Sequence, residues 1–241
     1  EDVGTTENDM ELVRQKTSHV TGVSKEHGGS GDPSPVTAYG TYIGIQASVK
    51  YKFNLSSLEG LKILVQGIGS VGMHLIEHLS NAGAEIFIND IDKEKIEYAS
   101  KKYNVKPVET EKLYNYDCDI YAPCALGATV NDLTIDQLKC KIIAGAANNI
   151  LLDPKKHSIE LMKRDILFAP DYVINAGGLI NVANEIDGYN ENKVKFETEK
   201  IYDTLLNIFK IAVDHNISTS EASRKLAEKI ISSKNKISEK I

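Results

Sequence analysis

The sequence predicts an α/β fold with a doubly wound, mostly parallel sheet and helices packed on its faces. Two observations lead to this fold class. Short apolar runs alternate with segments of helical periodicity through the middle of the chain, and a glycine-rich turn separates the first of these runs from its helix. Such alternation is typical of parallel strands, because each crossover between them needs a helix-sized connection.

Length and composition fit a globular protein and exclude several classes. The 241 residues are 41% hydrophobic and 26% charged, enough for one large domain or two small ones. A formal net charge of −6 leaves no excess of cations for phosphates, so no nucleic acid partner is expected. The sequence has no apolar run of membrane length, no signal-peptide pattern and no CxxC pair among its three cysteines. We therefore expect a cytoplasmic protein with no membrane partner and no structural zinc.

The elements follow in order from the residue patterns. A polar, glycine-containing stretch ends at Pro33, after which Ser34 suits a helix N-cap and Pro35 the first helical turn. A long helix with an apolar stripe follows. Six strands are then predicted, at 62–66, 85–89, 106–108, 119–121, 141–143 and 166–168. Asp92 is expected to cap the helix that follows the second of them. The last stretch, from residue 193, is helical with one apolar face, and a break at 216–220 precedes a final helix.

The strongest motif is the glycine-rich turn Gly67-Ile68-Gly69-Ser70-Val71-Gly72, between the strand at 62–66 and a helix at 71–81. The first glycine allows the tight turn, the second lets a pyrophosphate approach the backbone N–H groups, and the third allows close packing of helix on strand. Asp90, eighteen residues beyond Gly72, is placed to accept hydrogen bonds from an adenosine ribose. Because a carboxylate there repels a 2′-phosphate, the residues predict a Rossmann fold that binds NAD rather than NADP. The alternative is a purely structural turn, with Asp90 starting a solvated loop.

A second motif, His74-Leu75-Ile76-Glu77-His78, matches the H-x-x-E-H pattern of a zinc peptidase helix. The two histidines share a helix face, but a catalytic zinc also needs a third protein ligand and an open cleft. This helix follows the dinucleotide turn, a setting that does not obviously provide either. We therefore expect no metal, and two histidines on the outer, more solvated side of a covering helix.

Loops at the ends of later strands carry further polar or reactive groups. Cys124 follows the strand at 119–121, but no paired histidine is evident, so a small semi-buried residue near the cofactor is favoured over a nucleophile. Asn148 offers a donor and an acceptor to a carboxamide, and Asn175 lies in a glycine-containing loop before an apolar helix. Either asparagine could instead cap its own turn.

These residues together resemble the glutamate/leucine/phenylalanine/valine dehydrogenases, and the leucine dehydrogenase branch most closely. Besides the dinucleotide turn, the resemblance rests on EDVGTT (1–6), GDPSPVTAYG (31–40), APCALG (122–127), ANN (147–149) and DYVINAGG (171–178). It implies the oxidative deamination of a branched-chain L-amino acid with NAD, giving a 2-oxo acid, ammonium and NADH. It also implies an N-terminal substrate domain, an NAD domain, and a cleft that closes between them.

The resemblance further implies the roles of individual residues. Asp2 is similar to the catalytic aspartate, which moves protons at the amino group while a hydride leaves the α-carbon. Leu179 and Val182 resemble the wall of the substrate pocket. A leucine at 179, where many relatives carry valine, is expected to shrink that pocket by about a methylene, worth roughly 1 to 3 kcal/mol between substrates. The full cofactor set is Thr37, Gly67, Gly69, Ser70, Val71, Gly72, Asp90, Cys124, Ala125, Ala147, Asn148 and Asn175; the substrate set is Asn175, Gly178, Leu179 and Val182.

One feature of the family is missing, because its glycine-rich substrate motif with two lysines appears nowhere in these residues. By resemblance, residues 1–33 are then a remnant of the substrate domain, 34–214 the NAD-binding Rossmann domain, and 215–241 a C-terminal helix that returns towards the substrate domain. We expect this chain alone to bind NAD without turning over an amino acid. The longer parent is expected to be the dehydrogenase and a homo-oligomer.

Two other classes of function stay open. A non-catalytic NAD-binding regulatory module would need neither Asp2 nor the loops around Thr37 and Asn148. An unrelated oxidoreductase acting on hydroxy acids would need a histidine near the nicotinamide, and none of the six histidines lies in the loops named above.

Overall fold

The computed structural model describes residues 4–186 and 188–238, and its centre is a six-stranded sheet. The strand order is β3-β2-β1-β4-β5-β6, and every pair of neighbours is parallel. This confirms the predicted fold class. The order reverses between the first and fourth strands, which creates the switch point where open α/β sheets bind ligands. The strands are β1 (Lys62–Gln66), β2 (Glu85–Asn89), β3 (Lys106–Pro107), β4 (Ile120–Pro123), β5 (Ile142–Ile143) and β6 (Leu167–Phe168).

Helices precede, connect and follow the strands in the described part of the chain. They are α1 (Glu7–Arg14), α2 (Ser34–Phe53), α3 (Ser70–Asn81), α4 (Lys93–Tyr103), α5 (Pro154–Lys163), α6 (Asp171–Ile174), α7 (Gly177–Ala183), α8 (Glu191–Glu199), α9 (Ile201–His215) and α10 (Thr219–Ser238). No helix in these ranges is both long and apolar enough to cross a membrane. The division of the chain at residues 33 and 214 stays a prediction.

Local residue chemistry explains where the first elements begin. β1 and β2 have the predicted bounds, and Asp92 caps α4 as predicted by accepting the N–H groups of Glu94 and Lys95. The prediction for Ser34 was wrong by one residue, because α2 begins at Ser34 itself. The Asp32 carboxylate accepts the Ser34 N–H at 2.8 Å and so satisfies one of the free amides at the start of α2.

The core lies on both faces of the sheet because successive side chains of a strand point to opposite faces. Ile63 and Val65 of β1 pack into a cluster with α2, α3 and α9. Leu64, between them, packs into a second cluster with Phe87 and residues of the 108–151 region. The predicted apolar face of the C-terminal helical stretch is confirmed, since Val194, Ile201, Leu205, Ile208 and Ala212 are all buried.

Helix α2 crosses the first cluster at very short range. A Cβ built on Gly44 would lie 2.3 Å from Cγ1 of Ile174 in α6 and 3.0 Å from Cδ1 of Leu205 in α9. One turn earlier, the one atom within 3.0 Å of a Cβ on Gly40 would be Cδ1 of Ile201 at 2.9 Å, a methyl group that can move, while Cγ2 of Thr198 would lie at 3.3 Å. Gly44 therefore sets how closely α2 approaches α6.

We expect Gly44→Ala to lower the free energy of unfolding by about 1 to 2 kcal/mol, since the overpacking outweighs a helix-propensity gain of up to ~1 kcal/mol. Gly40→Ala is the matched control and should change it by less than about 1 kcal/mol. Urea unfolding of both variants measures the difference. Equal stability of the two would contradict the close approach at Gly44.

Candidate functional site

The glycine-rich turn stands at the carboxyl end of β1, next to the switch point. Gly67 has φ +89°, and a Cβ there would lie 2.8 Å from both N and Cβ of Ala125 in the loop after β4. A Cβ on Gly72 would lie 2.1 Å from the Gly67 carbonyl oxygen. Both positions therefore require glycine, for the turn and for the packing of α3 on β1, as the motif predicts.

Gly69 differs from the other two glycines because it faces open space. A Cβ built on it meets nothing within 4 Å, and its φ of −69° is open to any residue. Gly69 is the N-cap of α3, and no side chain caps this helix. The first N–H groups of α3, beginning at Ser70 and Val71, have no partner within the helix and stand beside an exposed turn. Such a helix N-terminus is suited to an anion.

Asp90 is joined directly to this turn. Its Oδ2 accepts the N–H of Ile68 at 2.7 Å, and its Oδ1 accepts the N–H of Asp92 at 2.9 Å. Each oxygen has a second acceptor site beyond these bonds. The carboxylate therefore points towards the turn, and it is half-buried rather than free in a solvated loop.

The loop after β4 packs against the turn and against the loop after β5. The Cys124 N–H donates to the Gln66 carbonyl oxygen at 2.7 Å, and the Ala147 N–H donates to that of Pro123 at 2.9 Å. A Cβ on Gly127 would lie 2.5 Å from the Asn148 carbonyl oxygen. Cys124, Ala125, Ala147 and Asn148 are thus brought together at one edge of the sheet, although Ala147 itself is buried.

The two candidate asparagines are in direct contact. Nδ2 of Asn175 donates to Oδ1 of Asn148 at 2.6 Å and to the Ala146 carbonyl oxygen at 3.1 Å. Asn175 therefore bridges two loops instead of capping its own turn. Within the described ranges, no hydrogen bond engages Nδ2 of Asn148 or Oδ1 of Asn175. One donor and one acceptor thus stand side by side.

The start of α7 connects this pair to α2. A Cβ on Gly178 would lie 2.5 Å from Oγ1 of Thr37, whose hydroxyl donates to the Pro33 carbonyl oxygen at 2.9 Å. Leu179 directly follows Gly178 in α7 and its side chain is 71% exposed, and Val182 lies one turn further along the helix. The structure thus places Thr37, Asn175, Gly178 and Leu179 in one continuous region. Asp2 lies outside the described residues.

Comparisons with known proteins show the family of this chain. The sequence matches the Glutamate/Leucine/Phenylalanine/Valine dehydrogenase family over residues 28–92 and 87–238. A leucine dehydrogenase of Bacillus cereus is 49% identical over 233 residues, which are 97% of this chain and 63% of that relative. The chain belongs to this dehydrogenase family.

Other members have related substrates in their names. An L-tryptophan dehydrogenase of Nostoc punctiforme is 45% identical over 232 residues, 96% of this chain and 65% of that relative. A crystal structure of an L-tryptophan dehydrogenase from Nostoc punctiforme matches with a TM-score of 0.82 and 46% identity, over 83% of this chain and 61% of that one. The chain spans less than two-thirds of the length of these dehydrogenases.

The structure of this family member does not bring the H-x-x-E-H residues together as metal ligands. The His78 ring stacks on Tyr42 at 5.3 Å between centroids and lies 5.7 Å from the ring of Tyr39. Glu77 instead accepts the hydroxyl of Tyr103 at 3.2 Å. The expected solvated position of His78 was therefore wrong, because α2 covers one side of α3, and this burial lowers the pKa of His78.

A different trio of ligand atoms lies within 4.8 Å in the described part of the chain, on Asp132, His157 and Glu160. His157 is buried, and its Nδ1 accepts the N–H of Asp153 at 3.0 Å. The ring proton of the neutral form is therefore on Nε2, 2.8 Å from Oδ1 of Asp132. No ring nitrogen is left with a free lone pair, so His157 and Asp132 belong to a structural hydrogen-bond network.

The sequence gives little or no indication of the contacts made by two polar groups beside the site. The buried Tyr121 donates its hydroxyl to Oε1 of Gln66, directly below the glycine turn. A tyrosine inside a buried strand usually needs a polar partner, which is the one clue available. Glu185, after α7, accepts bonds from residues near the start of the chain. Nothing in the sequence around Glu185 indicates this contact.

The thiols of this chain favour the structural interpretation of Cys124. Burial raises the pKa of Cys124 to about 11 and that of Cys140 to about 12, and it raises the pKa of Cys118 further. A thiol with such a pKa stays protonated near neutral pH and is a poor nucleophile.

We expect iodoacetamide at pH 8 to modify Cys124 roughly a hundredfold more slowly than an unperturbed cysteine, because its thiolate fraction is lower by about that factor. The rate should rise as the pH approaches 11. Mass spectrometry of timed labelling measures both, with Asn192→Cys on the exposed side of α8 as an internal control. Labelling of Cys124 as fast as the control at pH 8 would contradict the raised pKa.

Proposed function

We propose that the protein is an NAD-dependent amino-acid dehydrogenase that deaminates a branched-chain, leucine-like L-amino acid to the 2-oxo acid and ammonium. In this proposal the described chain carries the cofactor site. The observation that carries it is the uncapped N-terminus of α3 at the switch point, with Asp90 bonded to the turn beside it. The names of the relatives support the substrate class, since they are dehydrogenases of leucine and tryptophan.

The turn has the properties that a pyrophosphate requires. Ser70, Val71 and Gly72 present first-turn N–H groups, and the positive end of the helix dipole adds to their attraction for an anion. The open space at Gly69 is the volume that a side chain would fill and that a phosphate can occupy instead. The residues present therefore fit NAD.

Asp90 supports NAD over NADP by charge. Both of its oxygens already accept a backbone N–H, so the carboxylate is held in place before any cofactor binds. Their remaining acceptor sites suit the 2′- and 3′-hydroxyls of a ribose. A 2′-phosphate at the same place would meet a fixed negative charge.

Thr37, Asn148 and Asn175 are proposed to line the part of the cofactor site that holds the nicotinamide. Nδ2 of Asn148 and Oδ1 of Asn175 are a donor and an acceptor that match a carboxamide. When bound, NAD accepts the hydride from the substrate α-carbon. Asp2 is proposed to move the protons at the amino group, on the strength of the EDVGTT segment, and it has to lie within hydrogen-bond reach of the nitrogen or of the attacking water.

The exposed edge of α7 is proposed as the substrate side. Leu179 is 71% exposed and Val182 is one turn away, so both present apolar surface beside Gly178 and Asn175. An apolar wall of this kind suits an aliphatic side chain. The two lysines that the family resemblance implies are not in this sequence, so we propose that the 241-residue chain alone binds cofactor without turnover. The active protein is proposed to be a homo-oligomer.

We expect calorimetry of the 241-residue chain to show NADH binding, with NADPH weaker by about tenfold or more, because a 2′-phosphate would face Asp90. Gly69→Val should lower NADH affinity by about tenfold or more with little change in thermal stability, because its side chain would project into open space beside the helix N-terminus. Ser56→Val, at an exposed bend, is the control and should bind normally. Equal affinity for both cofactors would contradict the role of Asp90.

Amino-acid turnover is tested in two preparations. The 241-residue chain should deaminate no amino acid. A fusion of this chain with the portion of the Bacillus cereus leucine dehydrogenase that the chain does not span should form NADH with L-leucine, and Asp2→Asn in that fusion should reduce kcat by about a hundredfold or more. If the fusion also binds the cofactor but forms no NADH with an amino acid, the result would favour a regulatory module instead.

A further inference from the structure

Glu185 joins two distant parts of the chain through a single oxygen atom. Its Oε1 accepts the N–H of Gly22 at 2.8 Å, the N–H of Ser30 at 3.0 Å, and the hydroxyl of Ser30. The donors are 163 and 155 residues away in the sequence. All three are neutral, and hydrogen bonds of neutral donors to a carboxylate are stronger than those between neutral groups.

The donors stand at the two ends of a closed loop, residues 22–30, which we call the clasp loop. Its ends are also joined by the N–H of Gly31, which donates to the Val23 carbonyl oxygen at 2.9 Å. Gly29 packs so closely that a Cβ on it would lie 2.2 Å from that same oxygen. The clasp loop is therefore compact, and Glu185 binds it at the point where it closes.

A second carboxylate connects the clasp loop to α1. Oε1 of Glu11 accepts the N–H of Ser24 at 2.9 Å and lies 2.9 Å from Nδ1 of His27. These bonds hold the pKa of Glu11 at about 2, with that from the Ser24 N–H contributing most. At the start of α1 the Thr6 N–H donates to Oδ2 of Asp9 at 2.7 Å. Glu185 is thus connected through the clasp loop and α1 to Thr6, which is four residues from Asp2 in the sequence.

Helix α7 is held at its other sides as well. Nδ2 of Asn184 donates to Oε2 of Glu197 at 2.9 Å, and Oδ1 of Asn181 accepts the hydroxyl of Tyr189 at 2.8 Å. A Cβ on Gly177 would lie 2.3 Å from the Val36 carbonyl oxygen in α2. The helix is thus fixed by α2, by α8 and the loop before it, and by the clasp loop, while Leu179 stays exposed.

We propose that Glu185 is a positioning residue that holds the clasp loop, and through it the segment leading to Asp2, in a fixed place relative to α7. This inference rests on the proposed function, in which Asp2 and Leu179 act on the same substrate. Glu185 touches neither substrate nor cofactor in this role. Its effect is to keep α1, which follows Asp2 in the sequence, in register with the proposed pocket wall on α7.

The geometry makes a specific demand on the side chain at 185. Only Oε1 accepts the three bonds, so glutamine retains the acceptor and its shape. Leucine keeps a similar volume but leaves the backbone N–H groups of Gly22 and Ser30 without a partner, while the Ser30 hydroxyl can still donate to the Gly31 carbonyl oxygen at 3.3 Å. The contact of residue 185 with the clasp loop is therefore expected to weaken slightly in Glu185→Gln and strongly in Glu185→Leu.

Hydrogen exchange of the 241-residue chain tests the contact itself. In Glu185→Leu the amides of Gly22 and Ser30 should exchange about tenfold faster or more, with smaller increases in α1, whereas Glu185→Gln should stay within about threefold of wild type. Amides of β1 and the NADH affinity should be unchanged in both. Glu191→Leu, an exposed carboxylate replaced in α8, is the matched control. Unchanged exchange at Gly22 and Ser30 in Glu185→Leu would overturn the proposal.

Kinetics of the fusion described above test the positioning role. Glu185→Leu should lower kcat by about tenfold or more while KM for NAD stays within about twofold, and Glu185→Gln should recover at least about a third of the wild-type kcat. Wild-type kcat in Glu185→Leu, in a fusion that is active, would overturn the positioning role alone. An inactive wild-type fusion would overturn the proposed function and the positioning role together, although the exchange experiment would still decide the contact.

Discussion

The close approach of α3 to the end of β1 is the constraint on which the site depends. Gly72 lies so near the Gly67 carbonyl oxygen that no side chain fits between them. This contact directs the uncapped start of α3 towards the switch point and leaves Gly69 facing open space. The loop at Ala125 packs against this turn, and the Asp90 carboxylate is bonded to it.

In the proposed cofactor site, the single residue Asp90 affects both the choice of cofactor and the geometry of the turn. The carboxylate that would select against a 2′-phosphate also accepts the N–H of Ile68, a buried residue of the turn. A neutral residue at 90 would therefore change the charge and also leave one of two backbone N–H groups less well bound. Selectivity for NADP cannot be gained by removing this charge alone, because the turn would need a replacement acceptor at the same place.

The sequence predicted those features that depend on neighbouring residues. The bounds of β1 and β2, the cap at Asp92 and the separate needs of the three glycines follow from local backbone rules, and the structure has them. The cap of α2 was one residue out, since Asp32 and Ser34 are both good capping residues. The bond between Asn148 and Asn175 and the contacts of Glu185 depend on tertiary packing, and single-sequence patterns contain no information on such partners.

The short length of α7 and its exposed apolar edge explain why polar contacts hold this helix. A helix of seven residues is too short to be stable by itself, so its position must come from its neighbours. Apolar packing on every side would bury Leu179 and Val182, the residues proposed to contact the substrate. Asn181 and Glu185 accept hydrogen bonds, Asn184 donates one, and these bonds fix the helix along its other edges instead. Directional bonds thus allow a short helix to be rigid while its apolar edge stays exposed.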